Sequence, residues 1–432
     1  MKVPAPGILI CLLFTAGAAL ADEVGQAQPA EERLPLEELQ LFAQIFDQVR
    51  SAYVEEIDDR ELLEKAITGL LGELDPHSAF LQEDSYAELK EHTTGEFGGL
   101  GIEVGLERGY VRVISPIDDT PAASAGLRPG DLILKLGERS TQGMSLNEAV
   151  SRMRGPKGTA ITLTIGREGV SEPLTLTIVR DIITVQSVRQ KVVEPGYGYV
   201  RIAQFQEQTG DEFRRALEQL QGGETDELKG LILDLRNNPG GLLPASVEVA
   251  DALLDGGLIV YTQGRIASAN IRSMATAGEL LAGVPVVVLI NEGTASAAEI
   301  VAGALQDRQR ALVIGTRSFG KGSVQNVLPI GDGRAVKLTT ARYFTPSGHS
   351  IQAAGIRPDI EVRRAEIHEL EPGFTVKEAD LGGHLSSASD RGTAPQREAQ
   401  SATPADNQIQ EALNLLKALA IFVRQEEKSG DS

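Results

Sequence analysis

Apolar residues recur at helical intervals in the first part of the chain. Between residues 36 and 54 they follow three- and four-residue steps, which predicts an amphipathic helix with a narrow apolar face. The apolar positions of that face are Leu39, Phe42, Phe46, Val49 and Tyr53. The face either packs against its own domain or forms a dimer contact, and the pattern leaves both interpretations open. Residues 59–72 and 84–92 are predicted as two further helices.

Residues 96–182 change to short alternating segments with more glycine and more β-branched residues, which predicts a small β-rich module. Its predicted strands are Gly109–Ile114, Asp131–Leu136, Ala160–Ile165 and Leu174–Val179. One helix, Leu146–Met153, is predicted between the second and the third of these strands.

Residues 196–345 alternate between strand and helix patterns, as an α/β core does. Dense apolar runs at Gly230–Leu235 and Val284–Ile290 are typical of buried parallel strands. Thr209–Glu212 matches a capping box that opens a helix. The other predicted elements are the strands Gly198–Ala203, Ala311–Gly315 and Ala335–Thr340 and a helix over Ala297–Gln306.

The two ends of the chain have different patterns. Lys2, the apolar run Ile8–Phe14 and the small-residue site Ala19–Ala21 predict a secretory signal peptide, with the mature chain starting at Asp22. A membrane anchor is the alternative, but the run is short for a bilayer. Residues 377–404 are rich in Ser, Ala, Gly and Asp and predict a flexible tether. An amphipathic helix is predicted after it, marked by Ile409, Leu413, Leu416 and Ala420.

Charge and cysteine content exclude several functions. The 432 residues carry 41 Lys and Arg against 61 Asp and Glu, a net charge of −20, which argues against nucleic acid and anionic lipid as partners. Cys11 is the one cysteine and lies in the predicted signal peptide. Disulfides, thiol catalysis and cysteine metal sites are therefore excluded from the mature chain, and no cofactor or metal is expected.

Two segments of the β-rich module indicate peptide binding. The turn Gly99-Leu100-Gly101-Ile102 enters a strand and exposes successive backbone N–H groups, which can hold a carboxylate, although glycine-rich turns are common. The stretch Thr120–Leu134 is more specific, and with it the module resembles a PDZ domain of the bacterial permuted kind. The resemblance implies that Gly99–Ile102 and the strand after it capture a substrate's C-terminus. A module that only packs is the alternative.

Ser296 is a candidate nucleophile. It follows a buried strand and a glycine-containing turn, and a helix begins beside it whose free N–H groups favour a developing oxyanion. The segment alone fits an ordinary helix cap equally well.

Lys321 is the candidate base for that serine. None of the five histidines lies in a recognisable Ser-His-Asp context, and Arg317 stays protonated. Lys321 must be desolvated to lose its proton, and Phe319 and Val324 are expected to form a dry wall. Gln325 could orient the amine. A surface lysine in a hairpin is the alternative.

Together these segments resemble the C-terminal processing proteases, or tail-specific proteases, of peptidase family S41. The markers are Leu74–Ser78, the PDZ-like module, Asp234–Gly241, Gly293–Ile300, Phe319–Gln325 and Tyr343–Gly348. The resemblance implies a multidomain α/β chain, with a crotonase- or ClpP-like ββα spiral as protease core, an inserted β-rich PDZ domain and flanking helices. The expected parts are a signal peptide (1–21), a helical region (22–95), a PDZ domain (96–182), a protease core (183–363), and a tether with its helix (364–432).

The resemblance also implies the site and its mechanism. Ser296 would attack the scissile carbonyl, Lys321 would carry its proton, and Gln325 would be the third member. The N–H groups of Gly241 and Ala297 would hold the oxyanion, with Gly240 as an alternative to Gly241. Members often have serine where Ala298 stands, but the spacing selects Ser296. Glu299 and Asp307 are interpreted as structural.

The partners implied by the resemblance are protein substrates bound by their C-termini and an adaptor lipoprotein. A homo-oligomer assembled through the terminal helices is also expected, in the periplasm. A non-catalytic PDZ scaffold and a lyase or hydratase on the same core remain as alternative functions. The scaffold predicts damage at Ser296, Lys321 or Gln325, and all three are intact.

Overall fold

The computed structural model describes residues 35–222, 227–366 and 406–430. The predicted signal peptide and the predicted tether at 377–404 lie outside these ranges. Contacts divide the chain into two compact units, one ending at Ile67 and one beginning at Thr68. The first elements are α1 (Leu36–Ala52), α2 (Asp59–Gly72), β1 (Ala79–Leu81) and α3 (Glu83–Thr94), so the three helices predicted in this region form. No helix in the described ranges is long and apolar enough to cross a membrane.

The β-rich module is an antiparallel sheet with the strand order β3–β4–β5–β7–β8 and with β6 beside β5. A two-stranded ribbon of β2 and β9 flanks it. The elements are β2 (Glu96–Gly99), β3 (Ile102–Glu107), β4 (Tyr110–Pro116), α4 (Pro121–Ser124), β5 (Leu132–Leu136), β6 (Arg139–Ser140), α5 (Leu146–Met153), β7 (Ala160–Gly166), β8 (Leu174–Val179) and β9 (Asp181–Thr184). Val111, Ile133, Leu163 and Ile165 are fully buried in its separate core.

The central sheet of the core has the order β10–β11–β12–β15–β16–β19 and is parallel except for the antiparallel edge strand β10. Its strands are β10 (Val188–Glu194), β11 (Tyr197–Ile202), β12 (Gly230–Asp234), β15 (Val286–Ile290), β16 (Ala311–Gly315) and β19 (Ile360–Glu361). The dense apolar runs are therefore buried parallel strands, as predicted. Helices α6 (Thr209–Gln221), α7 (Leu243–Asp251) and α8 (Ala297–Asp307) share a core with one face.

Helix α9 (Asn407–Gly430) covers the opposite face of this sheet. Its residues Ile409, Ala412, Leu413 and Leu416 are buried against apolar residues of the strands. The apolar face that predicted an assembly surface near the C-terminus is thus part of the chain's own core. The physical reason is that both faces of a parallel sheet must be covered, and α9 supplies the second cover.

An antiparallel sheet lies beside this parallel sheet. In it β18 (Arg334–Phe344) pairs with β1, with β13 (Gly257–Gly264) and with β17 (Ser323–Gly331), and β14 (Arg272–Ala275) pairs with β13. The β17–β18 hairpin carries the chain from Lys321 past Gln325 and back, so this sheet positions one half of the candidate site.

The predicted capping box at Thr209–Glu212 is wrong. Thr209 is already the first helical residue, and its hydroxyl accepts the Gln206 N–H at 2.8 Å. The Glu212 carboxylate instead accepts the N–H and hydroxyl of Ser187, at 2.9 and 2.7 Å. Both side chains pin the helix to the segment before β10, a long-range contact that the local pattern does not reveal.

Candidate active site

Ser296 stands at the N-terminal end of α8 with a strained backbone. Its φ of 54° and ψ of −116° are unusual for a residue with a side chain, and its surface is only 5% exposed. Ser296 is the N-cap of α8, and its N–H donates to the Glu299 carboxylate as in a capping box. An ordinary helix cap has extended dihedral angles, so the backbone of this cap is unusual. Strain of this kind costs about 1–3 kcal/mol and occurs where the surroundings hold a functional residue in place.

The loops after the neighbouring strands β12 and β15 hold this turn. The Thr294 hydroxyl donates to the Leu235 carbonyl at 2.8 Å, and the Asn291 side chain bonds both the backbone and the side chain of Asn237. The Ala295 N–H donates to the Asn238 carbonyl at 2.9 Å. Adjacent parallel strands end at the same edge of a sheet, and these bonds join their loops into one support for Ser296.

Gly240 and Gly241 lie on that support beside Ser296. Both have left-handed φ values, 99° and 139°. A Cβ on Gly240 would come within 2.7 Å of the Ser296 Cβ, and one on Gly241 would come within 2.0 Å of the Phe205 carbonyl. A side chain at 240 would therefore push the loop away from the serine, and one at 241 would push it away from Phe205.

Glu299 connects the serine to the lysine. This carboxylate has no exposed surface, and its Oε2 accepts the N–H groups of both Ser296 and Lys321 at 2.8 Å each. Its Oε1 accepts the Gly320 N–H at 2.7 Å and the Ser318 hydroxyl at 2.5 Å. The serine turn and the Gly-Lys-Gly turn thus meet at one buried anion.

The surroundings of Lys321 favour its neutral form. Burial lowers the pKa of its amine below the usual range, the nearby Lys337 lowers it further, and Glu299 acts in the opposite direction. The predicted dry wall is only partly present, because Phe319 is 64% exposed while Val324 packs against the core. The pKa of His77 is lowered as well, chiefly by burial and also by the nearby charges of Lys321 and Lys337.

Gln325 is fixed through Thr339. Its amide donates to the Ser323 hydroxyl at 2.8 Å and to the Thr339 hydroxyl at 3.3 Å. Thr339 in turn donates from its hydroxyl to Asp75 and from its N–H to the Ser78 hydroxyl, at 3.1 Å each. The segment Leu74–Ser78 therefore supports the hairpin that carries Gln325.

Tyr343 lies against the serine from the other side. Its ring is 4% exposed. Burial raises the pKa of its phenol, and a hydrogen bond with the Ser296 hydroxyl opposes that increase. A neutral phenol beside Oγ can hold the serine side chain in one rotamer.

The module contains a cleft between α5 and the start of β3. It encloses about 190 Å³ and is lined by Phe97, Leu100, Ile102, Val150 and Met153, among others. In the described residues no acceptor takes the N–H groups of Leu100 and Gly101. An apolar cleft that ends in free N–H groups suits an apolar side chain followed by a carboxylate.

Arg154 closes one end of this cleft. Its guanidinium forms an ion pair with Glu91 of α3 and lies 4.8 Å from the centre of the Phe97 ring. The end of α3 contacts the core through the Glu207 N–H, which donates to the Thr93 carbonyl at 3.0 Å. Arg154 is therefore a link between the module and the core.

Comparisons with known proteins agree with this arrangement. The model for peptidase family S41 matches residues 196–362, the PDZ domain model matches 112–167, and the model for the activating protease CtpB N-terminal domain matches 13–85. The carboxy-terminal-processing protease of Bartonella bacilliformis is 47% identical over 415 residues, 94% of this chain and 95% of that protein.

The chain belongs to peptidase family S41, the carboxy-terminal-processing proteases. It is a serine-type protease with a PDZ domain, so the predicted family, fold class and enzyme class are confirmed. Another relative, the carboxy-terminal processing protease CtpA of Bacillus subtilis, is 35% identical over 79% of this chain and 73% of its own length. The solved photosystem II D1 C-terminal processing protease is 33% identical, with a TM-score of 0.45, over 76% of this chain and 93% of that one.

The S41 core collects most of the residues singled out from the sequence. The N–H groups of Ser296 and Lys321 share the Glu299 carboxylate, and Gly240 lies against Ser296 and Ala297. Gln325 is bonded to Ser323 and Thr339. Asp307 has a structural contact, since it accepts the N–H of Ser347 at 2.9 Å.

Sequence reasoning missed two residues of the site. The interpretation of Glu299 as structural agrees with its four bonds, but the sequence does not reveal that they join the two turns. Tyr343 enters the sequence analysis only as part of a family marker. The spacing from Ser296 to Glu299 is that of a capping box. It predicts one of the four hydrogen bonds of Glu299, the one from the Ser296 N–H. The other three cross from α8 to residues 318–321 and have no local signal.

Proposed function

We propose that this S41 protease is an exported serine endopeptidase that captures protein C-termini in its PDZ domain and cuts with Ser296 and Lys321. The observation that carries the proposal is the shared Glu299 oxygen, which brings the backbones of both residues to one point. The strained Ser296 backbone and the lowered pKa of Lys321 support the same roles.

The reaction follows from these roles. Neutral Lys321 takes the proton of the Ser296 hydroxyl as Oγ attacks the scissile carbonyl, and the resulting ammonium gives a proton to the leaving amine. Water then attacks the ester with Lys321 again as base. Gln325 orients this side of the site without adding charge, through Thr339 and Ser323.

The N–H groups of Gly241 and Ala297 hold the oxyanion in this proposal. Gly241 is favoured over Gly240 because the Gly240 N–H already donates to the Asn238 side chain at 2.9 Å. In the described residues the Gly241 N–H has no acceptor. The Ala297 N–H is the first of α8 and carries the positive end of the helix dipole.

The cleft of the PDZ domain takes the C-terminal residue of the substrate. Gly99, Leu100, Gly101 and Ile102 form the carboxylate end, and the cleft beyond them prefers an apolar side chain. The Arg154–Glu91 ion pair offers a route by which an occupied cleft alters the core. In this proposal the signal peptide at residues 1–21 directs export to the periplasm. An adaptor lipoprotein delivers substrates there.

The deciding experiment is degradation of an unfolded protein with an apolar C-terminal tail, from pH 6 to 9. Wild type should cut faster as the pH rises, because only neutral Lys321 can accept a proton. Ser296→Ala and Lys321→Ala should each lose about 1,000-fold or more. Equal cleavage by all three proteins would refute the dyad.

The tail supplies the matched control. The same unfolded protein ending in two aspartates should be cut more slowly by wild type, since the cleft is apolar. A non-catalytic scaffold instead predicts that wild type and Ser296→Ala bind the apolar tail equally and that neither cuts it, alone or with periplasmic partners.

A further inference from the structure

Strand β17 has one free edge. Lys337 of β18 pairs with Val327 of β17 and also with Ala79 of β1. In the same way Arg342 pairs with both Ser323 and Gln263. Since a strand residue has one neighbour on each side, β1 and β13 share one side of β18 and β17 occupies the other. Among the strands of the described residues, none pairs with the far side of β17.

The hydrogen bonds show which backbone groups face that free edge. The Tyr343 N–H donates to the Gly322 carbonyl at 2.7 Å, so Gly322 faces β18. Backbone groups alternate along a strand, and Gln325 and Val327 therefore face away. Pro329 also faces away from β18. Because its missing N–H is on the outward side, the hydrogen bonds between β17 and β18 are kept. In the described residues β18 is the strand that pairs with β17, so no strand takes these outward groups.

This edge lacks the usual protection against pairing. Natural edge strands carry charges, as β10 does with Arg189 and Lys191. No residue of Ser323–Gly331 is charged, and its apolar side chains are solvent-accessible: Val327 is 36%, Leu328 48% and Ile330 52% exposed. Pro329 limits pairing to the part of β17 that lies nearest to Lys321.

The position of the edge identifies its occupant. β17 begins two residues after Lys321, whose N–H shares the Glu299 oxygen with Ser296. A polypeptide with its scissile carbonyl at Ser296 must pass this hairpin, and an extended chain is the form that adds to a sheet edge.

We infer that the free edge of β17 at Gln325–Val327 pairs with the substrate segment beside the scissile bond, which becomes an added strand. The inference rests on the proposed protease function. The edge recognises backbone, so it selects unfolded segments over particular sequences. Side chains of the added strand alternate between the face of Val327 and the opposite face of Leu328.

The test removes one outward N–H without touching the ladder. Val327→Pro should lower kcat/KM for an unfolded protein about tenfold, the loss expected for one or two backbone hydrogen bonds. Val327→Thr keeps the N–H and should retain more activity than Val327→Pro. Labelling of Ser296 by a small organophosphorus reagent, which needs no added strand, separates loss of the edge from loss of the site.

A second measurement uses the wild-type enzyme and changes the substrate. Peptide substrates with single N-methyl amides should lose cleavage at alternate positions on one side of the scissile bond, because each missing N–H can no longer donate to an outward carbonyl of β17. Equal cleavage by Val327→Pro and Val327→Thr, or losses with no alternation, would overturn the edge proposal while leaving the dyad intact.

Two other outcomes also count against the proposal. If Val327→Pro changes self-association in sedimentation experiments and leaves cleavage unaltered, the edge pairs with a second copy instead. If wild type neither cuts nor reacts with the reagent, the proposed function fails, and the edge proposal fails with it.

Discussion

Glu299 is a buried carboxylate that accepts hydrogen bonds from the turns that carry the proposed nucleophile and the proposed base. A buried anion is costly unless its oxygens are satisfied, and here four donors satisfy them. The geometry of the nucleophile and that of the base therefore depend on one side chain, and a change at Glu299 should alter both.

Glu299→Gln should lower kcat/KM about 10- to 100-fold, because an amide cannot accept all four bonds. The pH–rate midpoint should also fall, since Glu299 raises the pKa of Lys321 and its charge is removed. Glu292→Gln is the matched control, a surface carboxylate near the same turn that accepts the Thr316 hydroxyl at 3.0 Å. Kinetics across pH 6–10 measure both effects, and equal behaviour of the two variants would contradict the role of Glu299.

Lys337 should act on the same midpoint in the opposite direction. Its charge lowers the pKa of Lys321, so Lys337→Gln should raise that pKa and move the rise in activity to higher pH. At pH 7 the variant should be slower, because less Lys321 is neutral. Lys337→Arg keeps the charge and should stay close to wild type. A profile that does not move in Lys337→Gln would show that the two amines do not interact.

At this scale the sequence predicted the residue types better than their contacts. Ser296 and Lys321 could be selected because each lies in a glycine-containing turn that matches a family marker. The support from Thr339, Asp75 and Tyr343 could not be predicted, since it depends on the register of β18 against β1 and β17.

The start of helix α9 contacts the loop after β12, which contains Gly240 and Gly241 and is called the glycine loop below. Arg236 donates to Asp234 at the end of β12, and its remaining nitrogen donates to Asp406 at 2.8 Å and to Gln408 at 2.7 Å. Three residues separate Arg236 from Gly240. The start of α9 thus braces the segment that carries the proposed oxyanion hole.

Asp406→Ala should destabilise the chain by about 1 kcal/mol, because the lost ion pair is partly exposed. It should also lower kcat more than it raises KM, since the oxyanion hole loses a brace while the PDZ cleft is untouched. Asn414→Ala on the exposed side of α9 is the control. Urea unfolding and steady-state kinetics measure the two effects, and a normal kcat would show that the brace does not reach the site.

Helices and strands could be predicted from the sequence where the spacing of apolar residues matches the face that the fold buries. The α5 bounds match the prediction and those of α8 differ by one residue, because apolar spacing and flanking breakers define both ends. Strands β13, β14 and β17 were not predicted. Their residues mix polar and apolar side chains, as strands in partly exposed sheets do.

At the scale of the whole molecule, α1 is the terminal helix that still fits an assembly surface. Its residues Leu39, Phe42 and Ile45 are 47%, 49% and 55% exposed, and it has no buried residue. An apolar helix face of this kind is typical of a contact with a partner.

Replacing Phe42 and Phe46 with Glu should therefore abolish self-association without unfolding the chain. Light scattering reports the mass and circular dichroism the fold. Replacing the exposed Gln40 and Gln44 with Glu adds the same charge to α1 and is the control. An unchanged mass in the Phe42 and Phe46 variant would refute the assembly role of α1.

The bond from Arg236 to α9 has a consequence for biosynthesis. The ribosome makes the serine turn, the lysine turn and both sheets well before it reaches Asp406 and Gln408. Until those two residues arrive and dock, the glycine loop lacks a brace on its far side. A nascent chain would then hold the proposed nucleophile and base beside an unfinished site for the proposed oxyanion hole, and full proteolytic activity would come only after synthesis has passed that point.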